Sequence, residues 1–556
     1  MVGLVCYSPY AVRYLPFSIQ EFSPISNLHA SRPATHSVVS AALIISAGNV
    51  ASRILGLVRQ TVIADLFGAT GYVSVFFVAS TIIQTLYDFL VGGMVSAALV
   101  PVFSDFAAKE NRAELWRVAS IVINVLAIAL ALAVLVLELF APQLVWILGG
   151  GYAPELQDAA VGMIRLVLPA VFFLGLSGIV TGLLYSLKRF AYPAFTTAAY
   201  NAGIILVALA LYKIFEIHDP MVLIVGILLG SATQVVLQLP GLRDMRYRFS
   251  IDWSHPAFRR ILKLYAPVVA GLSISVVYVA IDRHLASIIP GAQSLAWMQD
   301  ATVLIQFPLG LVATAISFAI LPTLSRQSTV ASQQSQATQH ESRITNHEFQ
   351  NTLAFGIKLV LLLILPATVG LFILARPIVA LLFEHGAFTP ADTTATAMAL
   401  QFYLIGLPFA AIDQPLVFAF YARKNTFLPN LVQFIAVGIY LVVALPLYQP
   451  LGMIGLVLAN SAMLMGHAFI MLWLTRTRLG GFGQSEMMTT LGKLVIASAA
   501  MGAVTFFIQS IIRMVWLQVI VSAIVAGIVY VVLIWLLRVG EAERVWQMLM
   551  ARLRRA

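Results

Sequence analysis

The residues with the most chemistry in this chain interrupt its most apolar stretches. Ser52-Arg53-Ile-Leu-Gly56-Leu-Val-Arg59-Gln60 falls inside an apolar run near 38–66, and Asp282-Arg283-His284 inside another near 261–286. On a helix turning 100° per residue, Arg53 and Arg59 lie about 120° apart with Gly56 midway between them. Two long cationic arms beside a bare backbone strip, with Ser52 at its edge, make a cradle open to an anion. Guanidinium forks match phosphate oxygens in bidentate fashion, which a lysine ammonium cannot do. The competing reading is structural: both arginines pair with Asp65, Asp88 or helix carbonyls and hold helices together. Asp282 and Arg283 are sequence neighbours, which on a helix do not face each other, so each is expected to need its own partner and one of them to face a cavity. Asp282 could bind a cation or pair with an arginine.

Other chemistries are not encoded. A single cysteine, Cys6, excludes a disulfide framework and cysteine-based metal sites. His284 and His467 stand outside any His/Glu cluster of ligand spacing and read as packed polar residues. No nucleotide-binding loop, nucleophile elbow or paired-carboxylate pattern is present. No cofactor is expected beyond a coupling ion.

The elements that must position these charges follow from composition. Of 556 residues, 60% are hydrophobic and 10% charged, with a mean hydropathy of +0.94. Soluble chains carry about 25% charged residues, so too few ionic groups remain to cover a water-soluble surface of this size. A soluble enzyme and a soluble nucleic-acid binder are both excluded, despite a net charge of +10. A bilayer core of about 30 Å needs ~20 apolar residues per helix. Runs of that kind fall near 38–66, 71–103, 114–140, 157–187, 191–212, 220–242, 261–286, 295–324, 350–375, 392–422, 428–447, 451–474, 488–511 and 515–537. The expected fold is an all-α polytopic membrane protein of about 14 transmembrane helices, the long second and eighth being candidates for bends. Continuous runs such as Ile357 to Ile373 lack the alternation of a transmembrane barrel.

An even span count puts both termini on one side. With that side inside, inner loops and tail hold 22 Lys and Arg and outer loops hold three, Lys213, Arg376 and Arg513. The positive-inside rule then makes both termini cytoplasmic, and the basic balance is explained by anionic headgroups with no nucleic-acid partner. Residues 1–37 lack the charged start and apolar stretch of a signal peptide and read as a disordered extension or an early start codon. Residues 327–347, rich in Gln, Ser, Thr and His, read as a disordered cytoplasmic linker, and 539–556 as a basic tail. Six cations remain inside spans: Arg53, Arg59, Arg165, Arg283, Lys358 and Lys493. One central charge costs at least ~2.5–3.5 kcal/mol. Lys358 and Lys493, near inner ends, are expected to snorkel; Arg165 is left between packing and function.

Local patterns recur. Tyr185-Ser-Leu-Lys188 reaching Pro193 matches Tyr421-Ala-Arg-Lys424 reaching Pro429, an offset of 236, and Pro142, Gly151 and Pro154 match Pro377, Gly386 and Pro390 at 235 to 236. Val100-Pro101-Val-Phe-Ser104 matches Leu321-Pro322-Thr-Leu-Ser325 at 221. The reading is two six-helix lobes, an N-lobe over 38–250 and a C-lobe over 251–326 and 348–480, with two extra helices over 481–538. Transporters built from such repeats bind substrate between the halves and rock one against the other.

Several of these residues carry a family likeness. Ser52-Arg53-Ile-Leu-Gly56-Leu-Val-Arg59, Phe67-Gly68-Ala69 and Phe76-Phe77-Val78-Ala79 resemble the amino-terminal signature of the MurJ (MviN) lipid II flippases, members of the multidrug/oligosaccharidyl-lipid/polysaccharide exporter superfamily. Further matches are Phe307-Pro308-Leu-Gly310, Leu321-Pro322-Thr-Leu-Ser325, Glu384-His-Gly386-Ala387-Phe388-Thr389, and Phe420-Tyr421-Ala422-Arg423 with Thr426 and Pro429. The resemblance implies two six-helix lobes plus two helices lining a lipid groove near 488–537. It implies a bacterial inner-membrane flippase that moves the undecaprenyl-pyrophosphate-linked peptidoglycan precursor from the inner to the outer leaflet by alternating access. Arg53 and Arg59 would hold the pyrophosphate, and sodium, protons or the membrane potential would drive the cycle, with Asp282 as the coupling-ion candidate. Membrane lipids and cell-wall synthesis proteins are the implied partners.

The chain departs from the pattern where the family's second-span arginine becomes Tyr87, its Asp before Phe-Phe becomes Ser74, and a further arginine becomes Val303. Nor does 434–447 contain the Asn/Asp pair of a sodium site. The cationic cavity therefore keeps its first-span charges and loses two others unless Arg283 substitutes, which makes Arg283 a further substrate-binding candidate. The alternatives are a flippase for another polyprenyl-linked glycan, a drug or cation antiporter, which would want an acidic cavity, a membrane glycosyltransferase, and a non-transporting scaffold.

Overall fold

In a bilayer every backbone N–H and C=O must find its partner within the segment, which leaves a chain this apolar only helices or closed barrels. A computed structural model describes residues 32–108, 111–333, 339–481 and 484–553, and every regular element among them is a helix. The chain divides into two compact units at 296/297.

The first unit contains the first span, Arg32–Phe67; the second, Gly71–Tyr87 continuing to Val100–Asp105; the third, Arg112–Leu139; and a short helix, Ala141–Gly149. The fourth span is Pro154–Val167 continuing as Pro169–Ser186, followed by the fifth, Thr196–Leu209, the sixth, Met221–Gln238, and the seventh, Pro256–Ile288. The eighth span, Ser294–Pro308 continuing to Thr314–Gln333, leads into the second unit. There follow the ninth span, Gln339–Ile373, a short helix, Ala375–Phe383, the tenth, Pro390–Ala422, the eleventh, Phe427–Leu451, and the twelfth, Met453–Arg478. The thirteenth, Gln484–Ile511, the fourteenth, Val515–Leu536, and a tail helix, Gly540–Leu553, complete the chain. Among the described residues 12 helices are long and apolar enough to cross a membrane, roughly the number expected, and Gly71–Tyr87 and Val95–Asp105 are shorter apolar helices. The second span carries π turns at Asp88–Gly92 and Val95–Leu99, the eighth one at Leu309–Ala313, and the fifth runs into one at Ala210–Ile214.

Sequence chemistry sets the helix ends. The Thr70 side chain accepts the Val73 N–H to start the second span, and Thr389 with Asp392 forms a reciprocal capping box ahead of the tenth, with Pro390 in the first turn. Small residues let helices touch: a Cβ on Gly203 would sit 2.7 Å from the Gly230 Cα, so the fifth and sixth spans meet backbone to backbone. The outer faces of the last two spans expose Phe506, Phe507, Trp516 and Trp535, an arrangement suited to lipid rather than water.

The repeated motifs fold alike. Lys188 and Lys424 both adopt left-handed backbone, with φ of 58° each. In both, the following residue donates back across the turn, Arg189 to the Leu184 carbonyl at 2.9 Å and Asn425 to the Phe420 carbonyl at 3.0 Å, the hydrogen-bond pattern of a Schellman helix stop.

Two placements bear on the sequence reading. The seventh span packs against the second and third spans and the Ala141–Gly149 helix, all within the first unit. The polar segment 327–347 is entered by helix from both sides, to Gln333 and from Gln339. It is polar but has neither Gly nor Pro to break a helix. Residues 1–31, within the expected N-terminal extension, lie outside the described residues.

Candidate substrate site

Within the first unit, the fifth span fixes the basic segment of the first. Asn201 is fully buried; its Nδ2 donates to the Ser52 carbonyl at 3.1 Å and its Oδ1 accepts from Arg59 Nη1 at 3.0 Å. One carboxamide thus grips backbone and guanidinium of the same helix two turns apart, which orients Arg59 without cancelling its charge. Arg59 is buried, Gly56 is buried, and Ser52 and Arg53 are half-buried. The cradle residues predicted from sequence therefore lie on one helix, while Asn201, which positions Arg59, is invisible to spacing rules because it comes from 142 residues away.

Arg283 and Asp282 are both buried, at 1% and 4% exposure. Arg283 Nη1 folds back to 3.8 Å from Asp282 Oδ2. An arginine stem is long enough to reach its own neighbour, although the distance is outside hydrogen-bond range. Its Nε and Nη2 make no hydrogen bond with the described residues. Those two donors form one edge of the guanidinium, the edge that takes a carboxylate or phosphate side-on. The guanidinium beside Asp282 would compete there with any cation.

Other singled-out residues have ordinary surroundings. His284 packs against Trp146, ring centroids 6.4 Å apart. Arg165 is exposed. Lys493 Nζ donates to the Arg538 carbonyl at 3.1 Å. Lys358, expected to snorkel, is buried in ion pairs with Glu541 at 2.9 Å and Glu486 at 3.6 Å. Ser74 is fully buried, and its hydroxyl accepts the Ala296 N–H at 3.3 Å. Among the described residues no three His, Cys, Asp or Glu gather as metal ligands.

Outside the spans, Asp244 accepts two hydrogen bonds from Arg189, at 2.5 and 3.0 Å, with Arg112 3.6 Å away; these hold its carboxyl below the usual carboxylate range. In the second unit His467 meets Asp413 at 2.8 Å. Sequence reading missed Asp413. Its signal was available, since an acid in the middle of an apolar span stands out as Asp282 does.

A family model described as lipid II flippase MurJ matches residues 63–527. The probable lipid II flippase MurJ of Vibrio cholerae is 30% identical over 437 residues, covering 76% of this chain and 80% of its own length. The lipid II flippase MurJ of Burkholderia cenocepacia is 29% identical over 424 residues, covering 75% and 78%. The solved structure titled lipid II flippase MurJ, inward closed conformation, superposes with a TM-score of 0.74 at 24% identity, covering 88% of this chain and 98% of that one. An inward-facing multidrug resistance MATE family transporter of the MOP superfamily shares the fold at a TM-score of 0.59 and 16% identity, over 77% and 94%. With most of its length inside the family model, and a relative this similar over three quarters of it, the chain belongs to the MurJ lipid II flippase family.

Proposed function

We propose that this chain is a flippase that carries lipid II, the undecaprenyl-pyrophosphate-linked peptidoglycan precursor, from the inner to the outer leaflet of the bacterial cytoplasmic membrane. It works by alternating access, both termini are cytoplasmic, and no bond in the substrate is made or broken. The observation that carries the reading is the first span: Arg53 and Arg59 in an apolar helix, with Arg59 oriented by a neutral carboxamide. Two guanidiniums on one apolar helix suit an anionic ligand, and a pyrophosphate offers oxygens for two forks. Arg283, with an unused side-on edge, is a further anion contact, and Asp282 the candidate for a coupling ion. Sodium, protons or the membrane potential drive the cycle. Replacement of family cations by Tyr87 and Val303 favours one second reading, a flippase for a different polyprenyl-linked glycan.

Expression in cells depleted of their own lipid II flippase separates these readings. The wild-type chain is expected to restore growth, and Arg53→Ala and Arg59→Ala to fail at equal protein levels. Full rescue by both variants would overturn the cradle, and failure of well-expressed wild type would favour the other glycan.

A further inference from the structure

The second unit buries a titratable pair that the anion-binding reading does not use. Asp413 lies nine residues before the end of the tenth span and His467 eleven before the end of the twelfth. At 1.5 Å per residue both sit about 15 Å from those ends, midway through a core of about 30 Å. Asp413 Oδ1 and His467 Nδ1 are 2.8 Å apart, with side chains 18% and 9% exposed. The Pro429 carbonyl, in the first turn of the eleventh span, also hydrogen-bonds the ring. Because Nδ1 faces Asp413, that leaves Nε2 as the donor, so the hydrogen bond at Nδ1 needs one proton, carried by the imidazole or by the carboxyl. With it the pair is neutral overall; without it a carboxylate faces a nitrogen lone pair at 2.8 Å in a medium that tolerates neither.

The surrounding helices supply no substitute charge at that level. The eleventh span has no Asp, Glu, Lys, Arg or His, only Tyr440 and Tyr448 as titratable groups. In the tenth, Asp392 is in the first turn, and Tyr403 and Tyr421 lie one and a half turns or more away. In the twelfth, Arg476 and Arg478 close the far end. Lys358 of the ninth is held by Glu541 and Glu486, the remaining charges of that helix precede Phe349, and Arg326 and Arg376 lie towards the ends of their own elements. Asp413 also lies between Pro408 and Pro415, each of which removes a backbone hydrogen bond from the tenth span and softens it there.

We propose that Asp413 and His467 form a single-proton binding site that latches the tenth span to the twelfth, closed when the shared proton is present and released when it leaves. The latch stands on the pair alone; that its opening serves the transport cycle rests on the flippase reading.

The test uses the full chain in lipid nanodiscs. Infrared titration is expected to show one carboxyl or imidazole transition that Asp413→Asn abolishes. Hydrogen exchange, corrected for the intrinsic effect of pH, is expected to show the amides around Ser461–Met471 losing protection on the order of tenfold as the proton leaves. Asp413→Asn, whose carboxamide can donate to Nδ1 without titrating, should stay protected at every pH, and His467→Gln should remove the same transition should the first variant not fold. A wild-type protein whose twelfth span exchanges alike at all pH, or an infrared transition surviving in both variants, would overturn the latch. A latch that titrates in a chain that cannot rescue flippase-depleted cells would leave this inference standing and remove the flippase reading instead.

Discussion

The Lys358–Glu541 pair gives the sharpest test of how the last helices are attached. Lys358 is in the ninth span, and Glu541 opens the tail helix; both side chains are about nine-tenths buried, at 2.9 Å, whereas Glu486, 3.6 Å away, is 84% exposed. Removing one partner of a buried pair strands the other charge, at about 3 kcal/mol or more; an exposed partner contributes less than about 1 kcal/mol and is screened by salt. Glu541→Ala should therefore lower the thermal midpoint by roughly 6–12 °C if the second unit melts like a domain of its size, and added salt should not reproduce the effect. Glu486→Ala should change it little. The double variant Lys358→Met with Glu541→Leu removes both charges and should recover most of the loss, because apolar replacement of a buried pair is often neutral. Circular dichroism of helix melting in detergent measures all four proteins. Equal effects of the two glutamates, or no recovery in the double variant, would refute burial as the source of the pair's strength. The double variant should still rescue flippase-depleted cells, since the pair lies outside the proposed cradle.

Three further outcomes are expected. Asn201→Asp would hold Arg59 more tightly, because a carboxylate replaces a carboxamide, and it should keep the fold while losing rescue if Arg59 serves an anion; undiminished rescue would mark Arg59 as structural. Lys188→Gly and Lys424→Gly should each raise thermal stability by up to about 1 kcal/mol by relieving left-handed strain, whereas alanine there should give no gain in a melting assay. Asp244, with its carboxyl depressed by Arg189, contributes stability that is complete above the unfolded carboxylate value of about 3.9 and is lost as pH falls through the depressed one. Wild type should therefore melt above Asp244→Asn by a constant margin from pH 8 to 5, under about 1 kcal/mol because Asp244 is 46% exposed, and the two should converge below about pH 4.

The fold was legible because its signals are local. Apolar runs gave the spans, and Tyr185 to Lys188 and Tyr421 to Lys424, recognised as spacing alone, fold as the same helix stop down to the left-handed lysine. What spacing could not supply is partner identity across long sequence separations. It marked Arg59 but not Asn201, marked Lys358 but not Glu541, and read His467 as a packed polar residue without naming the aspartate 54 residues away that it packs against.

The parts that repeat and the parts that do not point to different constraints. The helix stops at Lys188 and Lys424 recur with their strain intact, so they belong to the scaffold, where both units need the same turn. The embedded ionisable groups diverge. In the first unit Arg59 is steadied by a neutral amide and Arg283 keeps two donors in reserve beside one acid. In the second unit Asp413 meets His467 and Lys358 meets Glu541. Charge inside a bilayer is retained only where something compensates it. The second unit supplies that compensation from its own side chains, by pairs that a proton or a tail helix can make or break. The first unit orients Arg59 with a neutral carboxamide and leaves the side-on edge of Arg283 without a hydrogen bond among the described residues, and an anion is the ligand such an arrangement fits.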